Sequence, residues 1–252
     1  MQGDEPPDAQ IFLLLSWPGL RGTSPRDLVV VRRCGQAFRL GRYCTHMHMA
    51  GMQTGSYVRS NSIHHSFQRA VTMHGVHHSR VQHNVAYHVK GHNFFVEDGA
   101  ERKNVIEGNL GVYTLKSHAL LISDVKPATF WTAGPDNFWR HNVAAGSTND
   151  GFWFEPPAFP NGPSFTPTIC PAHEVIGEFY NNTAHSNGVH GLRIYPFYNP
   201  RTVQCDPSSP PAPARTENFT SWHNGQHGIF HKEVGDVHHH NAKLVENGDH
   251  QM

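Results

Sequence analysis

The 252 residues carry 20 basic and 20 acidic side chains, so the formal charge is zero, and the 22 histidines are the compositional outlier. No phosphate-binding surface of the kind that dominates nucleic-acid affinity is encoded, which excludes nucleic acid as a partner. Apolar residues at 37%, with 23 glycines and 18 prolines, suit many short strands joined by turns better than a helical bundle.

Residues 1–27 match no repeat and read as a poorly ordered segment. Their apolar run, 11–15, is cut short by Trp17, Pro18 and Gly19, far below the roughly twenty residues a bilayer span needs. Asp4, Glu5 and Asp8 stand where a secretory leader is basic, so the natural start is expected upstream. Cys34 and Cys44 follow, too close in sequence to assign a pairing; buried free thiols are the default reading, and the pair stays open.

From 28 to 252 the chain repeats itself. YVRSNSIHHSFQRAVTMHG written above RVQHNVAYHVKGHNFFVEDG aligns Val58 with Val81, Asn61 with Asn84, Val71 with Phe94 and Met73 with Val96, all at an offset of 23 residues. The Asn column continues through Asn109, Asn142 and Asn182, and Asn241 is expected to begin a further copy. No single unit can bury its apolar face, so the units are expected to stack in parallel register as a right-handed parallel β-helix, an all-β solenoid of the pectin-lyase-like type. A β-sandwich with turn asparagines is the alternative. Within each strand, alternation sends Val71 and Met73 inward and Thr72 and His74 outward. Stacked amides at one corner then satisfy turn groups that would otherwise lack partners.

Spacing along the Asn column grows from 23 and 25 to 33 and 40, so later rungs carry insertions. Two proline-rich loops stand out by composition, at about 155–175 and 196–215, leaving after Phe154 and Ile194. They should emerge from the same corner of adjacent rungs, about 4.8 Å apart, which predicts a Cys170–Cys205 disulfide. Asn-X-Thr sequons at Asn181 and Asn218 permit glycosylation of a secreted chain.

The runs CGQAFRLGRYCTHMHMAG, SIHHSFQRAVTMHGVH, HNVAYHVKGHNFFVEDG and RHNVAAGSTNDGFWFEPP resemble the fibrocystin-L-like β-helix family, which includes the cell-migration-inducing hyaluronan-binding protein and transmembrane protein 2. The likeness covers roughly residues 34–250; it departs at Cys44, where the family usually has proline, and at Met47, where it has an aromatic. It implies an extracellular or cell-surface ectodomain of a larger parent, a solenoid open at both ends with neighbouring domains missing, and hyaluronan as the polysaccharide partner.

Aligning HMHMAG, VTMHGV and FVEDGA puts His48, His74 and Glu97 in one outward column, with His46, Thr72 and Phe95 beside it. Asp98 lies at the next turn, and His64, His65 and Arg69 come earlier on the second rung as candidate ligand-binding residues. Farther along the column stand Glu155, Tyr195 and His231 or Lys232. Three readings stay open. In a polysaccharide-cleaving site, hydrolase or lyase, Glu97 or Asp98 donates a proton to the leaving oxygen while a carboxylate or His48 or His74 acts as base. In a divalent-metal site, His46, His48, His74 and Glu97 supply nitrogen and oxygen ligands. In a structural ladder, favoured from sequence, the histidines bond one another and nearby turn carbonyls. The overall expectation is a receptor or scaffold segment that binds a carbohydrate or protein ligand without catalysis, with a hyaluronan-cleaving enzyme as the alternative. Histidine protonation below about pH 6.5 is expected to make the surface basic and to strengthen binding of an acidic polymer.

Overall fold

The computed structural model describes residues 29–119 and 122–248, in which the chain winds through three wholly parallel sheets with no α-helix. The segment 1–27 lies outside the described residues. One sheet, here the front sheet, contains Thr45–Met52, Val71–His77, Phe94–Val96, Ala128–Thr132, Asp150–Phe154, His190–Ile194 and His227–His231. After each of its first strands the chain passes to a second seven-stranded sheet, beginning with Tyr57–Arg59 and Arg80–Gln82. It then enters an eight-stranded sheet that includes Ser62–Ser66, Val85–Lys90 and Leu110–Leu115, and returns one rung higher. This is a parallel β-helix. The register is the one the repeat predicts, with Val58 opposite Val81, Val71 opposite Phe94 and Met73 opposite Val96.

Asparagine builds the corners. Asn84 donates its backbone N–H and its amide to Asn109 Oδ1 at 3.0 and 2.9 Å, and Asn109 repeats both bonds to Asn142, each at 3.0 Å. The residue before each ladder asparagine turns the chain with a left-handed φ, 56° at His83, 63° at Gly108 and 53° at His141. Sequence reading found one such corner, whereas the structure has three. A second runs Ser79, Asn104, Asn137, and a third Ser147, Asn187, Asn224, Asn247. Asn241 is a correction: it bonds the surface residue Asn218 at 2.6 Å, one position off the ladder. Thr183 faces Thr220, which puts the buried Phe219 in line after Asn182.

Inward side chains of the front sheet fill the solenoid. Phe94, Phe130 and Phe152 stack at centroid spacings of 4.9 and 4.7 Å, and Trp139 meets Phe130 edge-on. Each such ring, removed from water, contributes roughly 1.5–3 kcal/mol before ordering costs. The two proline-rich loops leave after Phe154 and Ile194, and the predicted Cys170–Cys205 disulfide joins them. Cys34 and Cys44 are not free thiols: they form a second disulfide, with Cα atoms 5.0 Å apart. Positive φ at Gly35 and Gly41 and a 2.8 Å bond from Gln36 N–H to Arg42 O fold the intervening loop back on itself, which brings the two together. Among the described residues no helix is long and apolar enough to cross a membrane.

Candidate functional site

The outward face of the front sheet carries two columns of side chains. In the first, His46, Thr72, Phe95, Trp131 and Trp153 follow one another in register. Phe95 and Trp131 stack at 4.3 Å and 13°, a second apolar cluster outside the solenoid core. In the second, His48 faces His74, and Glu97 continues the line, its N–H bonded to Met73 O at 3.0 Å.

His74 is the hub. Its Nε2–H donates to Asp98 Oδ2 at 2.7 Å, while its Nδ1 lies 3.0 Å from His48 Nδ1 and 3.7 Å from Glu97 Oε2. Asp98 is held in place by the buried Glu101, whose carboxylate accepts the N–H groups of Gly75, Asp98 and Gly99 at 2.8, 3.1 and 2.8 Å. Gly99, at φ +96°, permits that turn. His46 donates from Nδ1 to Gly41 O at 2.9 Å, which leaves its Nε2 as an acceptor; Nε2 is buried and has no hydrogen-bond partner, and Glu97 Oε2, though 3.7 Å from His74, has none either.

Above Phe95 and Trp131 the proline-rich loops arch over the sheet and leave a cleft of about 960 Å³. His74, Glu97, Asp98 and Glu155 open onto it from the sheet, and Phe159 and the Cys170–Cys205 bridge line it from the loops. The first loop is tied to the site by Asn161 N–H on Asp98 O at 2.8 Å, and the second to the first by Asn199 N–H on Ala172 O at 2.8 Å. Glu155 accepts Trp131 Nε1–H at 3.1 Å.

Burial governs the electrostatics. It raises the pKa of Glu97 against the opposing charges of Arg69 and His74, and raises that of Glu155 against its bond from Trp131. It pulls His46 down to about 4. Burial also pulls on His74, but the bond to Asp98 and the charges of Glu97, Asp98 and Glu101 outweigh it and hold this imidazole above its ordinary value. His92 and His190 are held near 3 by burial, and His239 near 4. These three rings are packed too deeply to take up a proton near neutrality.

The structure brings together His46, His48, His74, Glu97 and Asp98, with Glu155 farther along the same cleft. It separates His64 and His65, which lie on the eight-stranded sheet beside Tyr87 and His88. Arg69 is fully buried, 3.5 Å beneath the Phe95 ring and 3.3 Å from Asp124, so it supports the floor of the cleft and touches no ligand. Asp124 was not singled out from sequence. Its only signal there is the 33-residue interval between Asn109 and Asn142, which hides an insertion after Leu115. Glu101 was also missed, since an acidic residue two positions past a glycine has no distinctive pattern. Of the sequon residues, Asn181 is exposed and Asn218 half-buried.

The CEMIP beta-helix family model matches residues 26–192. Fibrocystin-L of Homo sapiens is 43% identical over 232 residues, 91% of this chain and 5% of that protein. The cell migration-inducing and hyaluronan-binding protein of Mus musculus is 34% identical over 265 residues, 83% of this chain and 19% of its own length. The cell surface hyaluronidase CEMIP2 of Homo sapiens is 32% identical over 200 residues, 66% of this chain and 14% of that protein.

Proposed function

Since the chain belongs to the CEMIP beta-helix family, we propose that the cleft above Phe95 and Trp131 binds a stretch of polysaccharide of the hyaluronan type, as part of an extracellular receptor-like protein. The observation that carries this is the cleft itself: about 960 Å³, roofed by proline-rich loops, floored by stacked aromatic rings, with a few polar groups at one side. Such a surface suits sugar rings, which present apolar faces and hydroxyl edges. One relative is named a hyaluronan-binding protein and another a hyaluronidase. The two disulfides and the surface sequon at Asn181 suit an oxidising, glycosylating compartment.

Equilibrium binding of size-defined hyaluronan oligosaccharides to the full chain tests the reading. Saturable binding is expected, weakened about tenfold by Phe159→Ala or Phe197→Ala, both lining the cleft from the loops, and unchanged by His64→Ala on the other sheet. Absence of saturable binding, or equal affinity in all three variants, overturns it.

Cleavage is the second reading, favoured by one observation. Glu97 and Glu155 stand two strand spacings apart in one column, on the order of 10 Å of backbone. That is the scale on which inverting glycosidases separate acid and base, by roughly 6.5–9.5 Å between carboxyls. In this reading Glu97 protonates the leaving oxygen and Glu155 activates water. Chain-length analysis of hyaluronan incubated with wild type and Glu97→Gln decides it, since an unshortened polymer with wild type leaves binding alone.

A further inference from the structure

The imidazoles of His46, His48 and His74 converge beside the cleft, with the Glu97 carboxylate next to His74, and we propose that the three rings form a zinc-type metal site, its fourth position facing solvent or Glu97, independent of the glycan reading. The three imidazoles each offer a ligand atom within 4.8 Å of the others. His74 Nδ1 lies 3.0 Å from His48 Nδ1 and 3.7 Å from Glu97 Oε2. Donors on a tetrahedral zinc, with bonds of about 2.0–2.1 Å, stand roughly 3.3 Å apart, close to the 3.0 Å between the His48 and His74 nitrogens, with His46 within 4.8 Å of both.

The hydrogen bonds behind the donors are those a metal-binding histidine needs. His74 is fixed with its Nε2–H on the Asp98 carboxylate, which turns the Nδ1 lone pair toward the cluster. His46 is fixed with its Nδ1–H on Gly41 O, which turns the Nε2 lone pair inward. Two rings on separate strands are thus set in complementary tautomers, each by a different acceptor.

A ladder of mutually bonded histidines accounts for less. It uses the His48 to His74 contact but leaves His46 Nε2, buried, without a hydrogen-bond partner. An unsatisfied buried polar atom costs roughly 1–3 kcal/mol. A cation among the three rings satisfies the His46 nitrogen. Three imidazole nitrogens suit zinc, cobalt or another borderline first-row ion, and not calcium or magnesium, which take oxygen donors. His48 is exposed, which leaves a route of entry from solvent.

Titration of the metal-free full chain with Zn²⁺ alone, against a chromogenic chelator, should give one tight equivalent, and Co²⁺ should give the intense visible absorption of a tetrahedral ion. Because His48 lies at the surface, His48→Ala should keep the wild-type circular dichroism while losing at least about 100-fold in affinity. Asp98→Asn, which disturbs only the orientation of His74, should lose about 10–100-fold. His65→Ala, on the other sheet, should bind as wild type. Sub-stoichiometric uptake by wild type, a six-coordinate cobalt spectrum, or undiminished binding in His48→Ala or Asp98→Asn overturns the site.

Discussion

Glu174 stands where the first proline-rich loop rejoins the solenoid, 2.9 Å from Arg102 Nη2 and accepting Gln204 Nε2–H at 3.2 Å from the second loop. Burial pushes its pKa up to about 7, against the opposing charge of Arg102. The folded protein therefore holds a proton that the unfolded chain releases at about 4.5. Its contribution to stability is full below that value and is lost as pH rises toward 7. Glu174→Gln lacks this titration. Urea denaturation of both proteins should show the variant gaining on wild type between pH 4.5 and 7, by on the order of 3 kcal/mol; parallel curves would show that the carboxyl is not desolvated. The same kind of burial holds His92 and His190 near 3 and His239 near 4, which removes these rings from the charge balance near neutrality. From sequence they looked like sensors of mild acid, but whether an imidazole can titrate depends on loops that pack over it from distant positions, and no local pattern reports that.

At the scale of the element, the unit of stability is the corner. Each ladder asparagine spends both functions of its amide: Asn142 accepts from Asn109 while its Nδ2 donates to Ile106 O at 2.8 Å and Asn182 Oδ1 at 3.1 Å. Asn142→Ala would strand the N–H and amide of Asn109 and the carbonyl of Ile106, and should cost roughly 3 kcal/mol. Asn241→Ala, on the exposed pair with Asn218, should stay within about 0.5 kcal/mol. Similar losses in the two variants would place Asn241 back in the ladder. The repeat made the first ladder legible because its asparagines recur with a strand on either side. The other two escaped notice because serine opens each of them, at Ser79 and Ser147, and insertions disrupt their spacing.

At the scale of the whole molecule, a rigid solenoid carries a cleft whose roof is built from two insertions. Their disulfide closes a 35-residue span, for which loop entropy gives roughly 4 kcal/mol. The double variant Cys170→Ser, Cys205→Ser should keep the strand signal of the solenoid in circular dichroism. Proteolysis should then cut the first loop near Phe159 and Phe165, both largely exposed. Cleavage as slow as in wild type would mean that the bonds of Asn161 and Asn199 hold the roof without the bridge.

What the sequence determined by itself is the stacked architecture, its register, the outward column from His48 to Glu97 and the Cys170–Cys205 bridge. All four follow from periodicity, because in a solenoid residues one repeat apart become neighbours in space. What tertiary structure alone decided is the environment of that column. The roof comes from the loops after Phe154 and Ile194, the buried support of the floor from Arg69 and Asp124, and the pinning of Asp98 from Glu101. These contacts join positions with no shared repeat phase. Burial and pKa depend on every element packed against a group, and so they appear only when the chain is folded.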